Sequence, residues 1–472
     1  MEGKYRSLAR NTAILSVGTL LSKLVTFLMV RFYTGVLSPA EYGTGDLLIT
    51  TVSLLMPVVS FGISEGVFRF LPEYPRGKNS VFTIGVEMVT AGSVLLVAFL
   101  PLLRLVDGFQ NHGILLVSMT VAACYHSVCA QYVRAEGDTV LFAMQGLLNT
   151  LLVVTLNVLL LTVFRLGVRG YVLSVGLADF LCTLYLVFRR RLWRCLTCHP
   201  NGKLARKMLR YSIPLIPTTV FWWITSVSDR YMIAAMLGSE ANGIYTVANK
   251  LPTLLTLLSG VLMQAWQYSA VCERKSSPEE QARFYSNVWL ALLSTLFLAC
   301  SAMVALARIG IRVLADAAYD EAWQYMPILC SAMLFCAFTS FLGSVYTVTR
   351  KSSLSLCTAL LGAGINIALN ALLIPSPLGL YGAALATFAS YFIVFLVRAR
   401  NARHWIPFRL FKRTLLFSGT VLAVQTLFLC LGWFGWQWVQ GGAVLAMALI
   451  GRKQMMEKIS AFQRSAGGNR YV

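Results

Sequence analysis

The chain has 472 residues, of which 57% are hydrophobic and only 12% are charged, and its mean hydropathy is +0.69. Soluble globular chains carry about 25% charged residues, so this composition excludes a series of soluble domains. The 40 Lys and Arg residues outnumber the 19 Asp and Glu residues and give a net charge of +21. Nucleic-acid-binding proteins place such an excess on a soluble domain, and none is visible here. We therefore predict a polytopic membrane protein without a nucleic-acid partner.

The chain begins with a few basic residues and a long apolar stretch without an A-x-A cleavage site, which predicts an uncleaved first helix. Further apolar stretches of about 20 residues predict transmembrane helices. The connections between them are short and leave no room for an extramembrane domain. The fourteen predicted spans, the last being the shortest, are 12–34, 44–68, 81–103, 113–133, 140–164, 170–188, 212–237, 243–270, 285–307, 322–348, 353–374, 379–397, 414–432 and 434–450.

The basic residues predict the orientation of these spans, because cytoplasmic loops of membrane proteins are enriched in Lys and Arg. With a cytoplasmic N-terminus, 31 of the 40 basic residues fall in inside segments, 5 fall in outside connections and 4 lie within spans. Shifting the topology by one helix destroys this asymmetry. We predict an even number of spans with both termini in the cytoplasm.

Two landmarks recur along the chain and predict an internal repeat. The turn at 37–43 aligns with 237–243, and the segments at 157–170 align with 370–382. Both halves begin inside, so the repeat is parallel, as in transporters that move two lobes about a midplane site. The predicted fold is all-α with two six-helix lobes and two added C-terminal helices. The lobes are 1–190 and 211–400, joined by a basic cytoplasmic linker at 191–210 and followed at 401–472 by the two helices and a basic cytoplasmic tail.

The four basic residues within spans are the candidate binding residues: Lys23, Arg31, Arg230 and Lys250. A charge inside the membrane costs about 2.5–3.5 kcal/mol and usually faces a cavity or a partner. One interpretation is a cationic cavity for an anionic substrate such as a diphosphate, since Arg binds phosphate in bidentate fashion and Lys acts as a mobile point charge. The other interpretation is structural, with these charges paired across helices.

Lys23, Arg31 and Lys250 have no acid nearby in the sequence, whereas the acidic residues of the spans are predicted to have structural roles. Glu65 and Arg69 are four residues apart on one helix, so we predict that they pair with each other as a structural or gating ion pair. Asp229 is also predicted to be structural, and it needs a different neighbour from Arg230, because adjacent residues point about 100° apart. Glu87 and Asp179 are further acids in the third and sixth spans.

Several other motifs do not predict a functional site. The C-x-x-C-H sequence at 195–199 matches a haem-attachment pattern but lies in a predicted cytoplasmic loop. The four histidines (112, 126, 199 and 404) are scattered, and the eleven cysteines lie mostly in apolar runs, where they act as small buried hydrophobes. No phosphate-binding loop is present. We therefore predict no catalytic residue, no metal site and no cofactor.

A set of local motifs resembles the bacterial oligosaccharide flippases (Wzx-like, polysaccharide transporter family), which share a superfamily with the MATE multidrug exporters and the lipid II flippase. The resemblance extends over about residues 5–400. Its motifs are Asn11-Thr, Gly18, Lys23, Phe27, the turn at 37–43, Gly62, Arg69-Phe70, the segment at 211–217, Ser228-Asp-Arg-Tyr231, Gly243-Ile-Tyr245 and the segment at 366–375.

The resemblance implies fourteen helices in two lobes, alternating access, and a position in the bacterial cytoplasmic membrane. It implies that the substrate is an undecaprenyl-diphosphate-linked oligosaccharide, the repeat unit of a capsule, an O-antigen or an exopolysaccharide, which is flipped to the outer leaflet. The four intramembrane cations then correspond to the family's cationic cavity. Membrane lipids, a polysaccharide polymerase and glycosyltransferases are the implied partners, and the membrane potential, H⁺ or Na⁺ is the implied coupling force.

Two other functions are compatible with a polytopic chain. An ion-coupled exporter of cationic small molecules is the main alternative, although it requires unpaired acids in the cavity, whereas the first helix here offers cations. A membrane enzyme such as a polymerase or ligase usually has a large external catalytic loop, and every predicted external connection is short. We therefore expect a transporter and not an enzyme.

Overall fold

The computed structural model describes residues 21–103, 112–197, 201–260, 263, 278–348 and 352–468, and all regular structure in this part of the chain is helical. The helices of the first half are α1 (21–36), α2 (Pro39–Val59), α3 (Ile63–Glu73), α4 (Lys78–Ala98), α5 (Gly113–Ala135), α6 (Thr139–Val158), α7 (Gly167–Arg190) and α8 (Gly202–Ser212). Short helical turns lie at Pro75–Gly77, Leu100–Leu103, Leu159–Val163 and Leu192–Cys195.

The helices that follow are α9 (Leu215–Leu237), α10 (Ser239–Lys250), α11 (253–260), α12 (Pro278–Ala305), α13 (Ala307–Leu314), α14 (Met326–Val348), α15 (Ser352–Leu373), α16 (Gly379–Trp405), α17 (Lys412–Leu431) and α18 (Trp436–Gly468). A 3₁₀ segment lies at Ala317–Gln324. Within the described residues, 10 helices are long and apolar enough to cross a membrane. Helices also occupy the described parts of the other four predicted spans, but the count of fourteen stays a prediction.

Two predicted spans are interrupted, which corrects the sequence interpretation. The stretch 44–68 is divided between α2 and α3 by a turn in which Phe61 and Gly62 both have positive φ. The stretch 243–270 is interrupted at 251–252, where Pro252 has no N–H to continue the helical hydrogen bonding. Hydropathy remains high through both breaks, so an apolar window does not detect them.

The internal repeat is visible in the local structure of each half. Gly167 and Gly379 begin corresponding helices, α7 and α16, and both have positive φ, at 53° and 49°. Three residues later, Gly170 and Gly382 each lie against a carbonyl oxygen of the preceding helical segment. A side chain at either glycine would contact that oxygen, which explains why the Leu-Gly-x-x-Gly pattern occurs in both halves.

Contacts divide the chain into two units, Met1–Val227 and Ser228–Val472. The predicted cytoplasmic linker belongs to the first unit, because Leu204 and Met208 of α8 are buried in the same apolar core as Phe70 of α3. Basic residues cover the other side of α8, so this helix is amphipathic. The predicted lobe limits at 190 and 211 stay a prediction.

In the second unit, one cation predicted to lie in a cytoplasmic loop is buried. Arg398 of α16 is only 8% exposed. Its guanidinium donates to the Thr358 hydroxyl at 2.9 Å, to the Thr339 carbonyl at 2.9 Å and to the Ser355 carbonyl at 3.4 Å. Arg398 therefore ties α14, α15 and α16 together, a role that its position in a basic run does not reveal.

The two added C-terminal helices are held to α12 by a buried polar cluster. Gln425 of α17 accepts from the Ser301 hydroxyl at 2.8 Å and donates to the Ser301 carbonyl at 2.9 Å. It also donates to the side-chain oxygen of Gln440 on α18 at 2.8 Å, and Gln440 donates back to the Gln425 carbonyl at 3.0 Å. Membrane helices commonly associate through such hydrogen bonds.

We expect Gln425→Leu to lower the free energy of unfolding by about 1–3 kcal/mol, because Ser301 and Gln440 lose buried partners. The measurement is thermal unfolding of the purified protein in detergent. Thr420→Val on the same helix is the matched control, since Thr420 is exposed and its hydroxyl bonds only its own helix. Equal stability of the two variants would contradict the role assigned to this cluster.

Candidate functional site

The first pair of candidate cations lies on α1 in the first unit. Lys23 and Arg31 are both exposed. Their spacing of eight residues corresponds to a rise of about 12 Å and a rotation of about 80° in an ideal helix. The two side chains thus project from one broad side of α1.

The second pair lies in the second unit. Arg230 is on α9 and Lys250 is the last residue of α10, and both are half-buried. Lys250 directly precedes the helix break at 251–252, so it lies where α-helical geometry ends. Whether the four cations contact substrate stays a prediction.

The prediction that Arg69 pairs with Glu65 is wrong. Arg69 pairs with Glu73, four residues further along α3, with 3.7 Å between Nη2 and Oε1. The guanidinium also lies over the Tyr211 ring, 5.1 Å from its centroid. Tyr211 packs against Phe70 as well, and this contact draws Arg69 toward the C-terminal end of α3 and away from Glu65.

Basic residues of α8 also lie on the predicted cytoplasmic side, near Arg69 and Tyr211. Lys207 donates to the Tyr74 hydroxyl at 2.9 Å and lies over the rings of Phe70 and Tyr74. The hydrogen bond to Tyr74 raises the pKa of the exposed Lys207 ammonium. This lysine therefore stays charged over the whole physiological pH range.

Asp229 is the centre of a buried polar network in the second unit. Its Oδ1 accepts from the Arg230 backbone N–H at 2.9 Å. Its Oδ2 accepts from the Tyr245 hydroxyl at 2.9 Å and from the Thr387 hydroxyl at 3.4 Å. Every one of these donors is neutral, and they come from α9, α10 and α16. The carboxylate thus joins three helices, and its structural or gating role stays a prediction.

Two asparagines of α15 extend this network. Asn366 accepts from the Ser228 hydroxyl at 3.1 Å and donates to Thr387 and Ser390 at 3.4 and 3.5 Å. Asn370 donates to Asn366, and its own side-chain oxygen is buried without a hydrogen-bond partner. A carboxylate, hydroxyls and an unpartnered amide oxygen are hard oxygen groups, which suit a proton or a small monovalent cation. The sequence predicted a site role for Asp229, whereas Asn366 and Asn370 belonged only to the motifs of the family resemblance.

The remaining motifs gain no support as sites. Cys198 and His199 of the C-x-x-C-H sequence lie outside the described residues, and the Cys195 thiol lies 3.7 Å from the Tyr132 hydroxyl. No group of three or more metal-ligating side chains occurs among the residues that the structure describes.

The sequence and the fold together identify the family. Residues 8–267, more than half of the chain, match the profile of the polysaccharide biosynthesis protein family. The chain belongs to this family. Among curated proteins, none matches the sequence significantly.

Solved structures share the fold at low sequence identity. The lipid II flippase MurJ in an inward closed conformation is 14% identical, with a TM-score of 0.68 over 95% of this chain and 99% of that chain. An inward-facing multidrug resistance MATE family transporter of the MOP superfamily is also 14% identical, with a TM-score of 0.64 over 84% of this chain and 98% of that chain. A MOP superfamily transporter from Pyrococcus furiosus, described as having a binding pocket of reverse polarity, is 15% identical, with a TM-score of 0.54 over 84% and 95% of the two chains.

These findings confirm the predicted family and fold class. The protein is a multi-pass membrane protein whose described residues are all-α and share the fold of MATE and MurJ. Because the structural relatives are below 25% identity, they establish the fold and not the substrate.

Proposed function

We propose that this protein flips an undecaprenyl-diphosphate-linked oligosaccharide from the inner to the outer leaflet of the bacterial cytoplasmic membrane by alternating access. The substrate is the repeat unit of a capsule, an O-antigen or an exopolysaccharide, and the protein performs no chemistry on it. Family membership in polysaccharide biosynthesis supports a substrate of this class. The observation that carries the proposal is the pair of exposed cations, Lys23 and Arg31, on one predicted membrane helix.

The charge of the substrate supports the direction of transport. A diphosphate carries about two negative charges. Its outward movement across an inside-negative potential of about 100 mV is favourable by about 4.6 kcal/mol. On the cytoplasmic side, basic residues of 189–210 and 400–413 attract anionic head groups at about 1 kcal/mol per charge near the surface. Both termini are cytoplasmic in this proposal. Glycosyltransferases act before the flippase, and a polymerase acts after it.

Besides the potential, H⁺ or Na⁺ is the proposed coupling ion. If the coupling ion is Na⁺, the oxygen-rich network around Asp229 is its candidate position in the second unit, since carboxylate, hydroxyl and amide oxygens are the ligands that it would need. The buried Asp229 carboxylate also supports the alternative function, export of cationic small molecules, because a carboxylate can pair with the positive charge of a bound drug. The two functions make opposite predictions about substrate charge.

The test uses the purified protein in proteoliposomes that contain a labelled undecaprenyl-diphosphate oligosaccharide. Its appearance in the outer leaflet is followed with a membrane-impermeant glycosidase, under an inside-negative potassium-diffusion potential. We expect flipping that accelerates with the potential, and no efflux of a cationic dye from parallel vesicles. Dye efflux without flipping would establish the exporter instead.

A further inference from the structure

A polar cluster connects three predicted membrane helices inside the first unit. His126 Nδ1 of α5 lies 3.1 Å from Asp179 Oδ1 of α7, and His126 Nε2 lies 2.7 Å from Gln145 Oε1 of α6. Asn149 of α6 donates to the same Asp179 oxygen at 2.8 Å. Sequence inspection placed Asp179 among the acids of the spans and His126 among scattered histidines, so the pairing appears only in the fold.

The cluster lies deep in the predicted membrane region. His126 is thirteen residues from the start of α5 and Asp179 twelve from the start of α7, which places them about 20 and 18 Å along their helices. A bilayer core is about 30 Å thick. Their side chains retain 16% and 17% of their accessible surface. An ionisable pair at this depth is costly in lipid and usually serves transport or proton transfer.

The hydrogen-bond geometry indicates which protonation state the cluster holds. Both imidazole nitrogens face oxygen atoms, and a neutral imidazole has one N–H donor and one acceptor nitrogen. With Gln145 Oε1 and Asp179 Oδ1 as the facing atoms, only the imidazolium form donates to both at once, and Asn149 donates to the same Asp179 oxygen. If Nε2 loses its proton, the Gln145 side-chain amide must flip so that its NH₂ group, and not its oxygen, faces the imidazole. The cluster therefore has two arrangements that differ by one proton.

The surrounding ionisable groups leave Asp179 as the one acid bonded to this histidine. The Cys182 thiol of α7 donates to the Gln145 carbonyl, and Cys129 lies one turn from His126 on α5. Helix α6 has no ionisable side chain. Carboxylates on the other helices packed against α5, none of which bonds to His126, are Glu41 and Asp46 of α2, Glu65 and Glu73 of α3, and Glu87 of α4. Bases on these helices lie toward their ends and are Arg69, Lys78, Arg134, Arg169, Arg189 and Arg190.

We propose that His126 and Asp179 form a proton-binding site, and that transport of the anionic substrate is coupled to a proton bound and released there. The proton moves inward as the substrate moves outward, binding at the imidazole from the external side and leaving to the cytoplasm. This proposal rests on the proposed transport function. Histidine suits the task because its charge changes near physiological pH.

The experiment measures flipping in proteoliposomes under a pH gradient, acidic outside, with the membrane potential clamped at zero. For one proton per cycle, the steady-state ratio of outer to inner substrate changes about tenfold per pH unit. We expect this response in the wild type and its loss in His126→Gln and Asp179→Asn. His112→Gln, which removes a histidine at the external start of the same helix, is the matched control and keeps the response.

The outcomes separate this proposal from the proposed function. Wild-type flipping that ignores the pH gradient would overturn the proton site and leave the flippase intact. A response that persists in His126→Gln but is lost in Asp229→Asn would assign the coupling to the second unit and also overturn the site. Absence of flipping under every condition would refute the proposed function itself.

A binding measurement decides the matter without transport. In the purified, ¹⁵N-histidine-labelled protein, the His126 resonance is identified by its absence in His126→Gln. We expect both ring nitrogens to carry protons at neutral pH in the wild type, and only one to do so in Asp179→Asn. A singly protonated ring in the wild type would contradict the proposal even if a variant fails to fold.

Discussion

Replacing both Lys23 and Arg31 by glutamine is expected to lower the flipping rate by about a hundredfold or more while leaving the amount of folded protein unchanged. A hydrogen bond to a charged group contributes about 1.5–3 kcal/mol, so losing two such contacts to a diphosphate removes about 3–6 kcal/mol. Each 1.4 kcal/mol is a factor of ten. The measurement is the rate at which the labelled lipid-linked oligosaccharide reaches the outer leaflet.

Both side chains are exposed on α1, so their replacement opens no cavity in the apolar core. The matched control is Arg165→Gln with Arg169→Gln, which removes the same two charges from exposed positions in a predicted external connection. We expect this control to flip at the wild-type rate. The charge-conserving exchange of Lys23→Arg with Arg31→Lys should recover part of the activity, since lysine lacks the bidentate geometry of arginine. Wild-type flipping in the glutamine variant would refute the cationic-site hypothesis.

Replacing Gly92 by alanine is expected to have the largest effect on stability. A Cβ at Gly92 on α4 would lie 1.7 Å from the carbonyl oxygen of Val59, the last residue of α2, and 2.8 Å from its carbonyl carbon. Because the obstacle is backbone, rotation of a side chain cannot relieve it, and the two helices must separate. Overpacking in a dense interior costs about 1–3 kcal/mol, and a backbone collision lies at the upper end or above.

The measurement is the thermal unfolding temperature and the monodisperse yield in detergent, both of which should fall strongly for Gly92→Ala. Gly146→Ala on α6 is the control, because nothing lies within 4 Å of the added methyl group. In a helix interior, alanine is favoured over glycine by about 1 kcal/mol, so this control should be at least as stable as the wild type. Equal unfolding temperatures for the two variants would show that α2 and α4 are not in such close contact.

Much of the architecture was predictable because it depends on local properties of the chain. The apolar windows located the membrane helices, and the Leu-Gly-x-x-Gly pattern marked corresponding helix starts at Gly167 and Gly379. Transfer of about 20 apolar residues into lipid is favourable whatever the rest of the chain does. Helix breaks were missed for the same reason, since the turns at Phe61-Gly62 and Leu251-Pro252 change the backbone and not the hydropathy.

The partners of charged side chains were not predictable from sequence spacing. Arg69 pairs with Glu73 and not with Glu65, because Tyr211 of a distant segment positions its guanidinium. Arg398, which the sequence placed among the loop charges, is buried on hydroxyl and carbonyl groups 40 and 59 residues away. In each instance a neighbouring residue in space, and not along the chain, selects the partner.

By itself the sequence determined that the protein is a polytopic membrane protein, and it predicted a basic cytoplasmic side and a repeated helical plan, because hydropathy and loop charge act on each segment independently. Only the tertiary structure decided which polar groups meet inside the helices. Asp229 reaches Thr387 across 158 residues, and His126 meets Asp179 only because α5, α6 and α7 pack together. Buried polar groups must find partners where water is absent, and packing alone determines which are within reach.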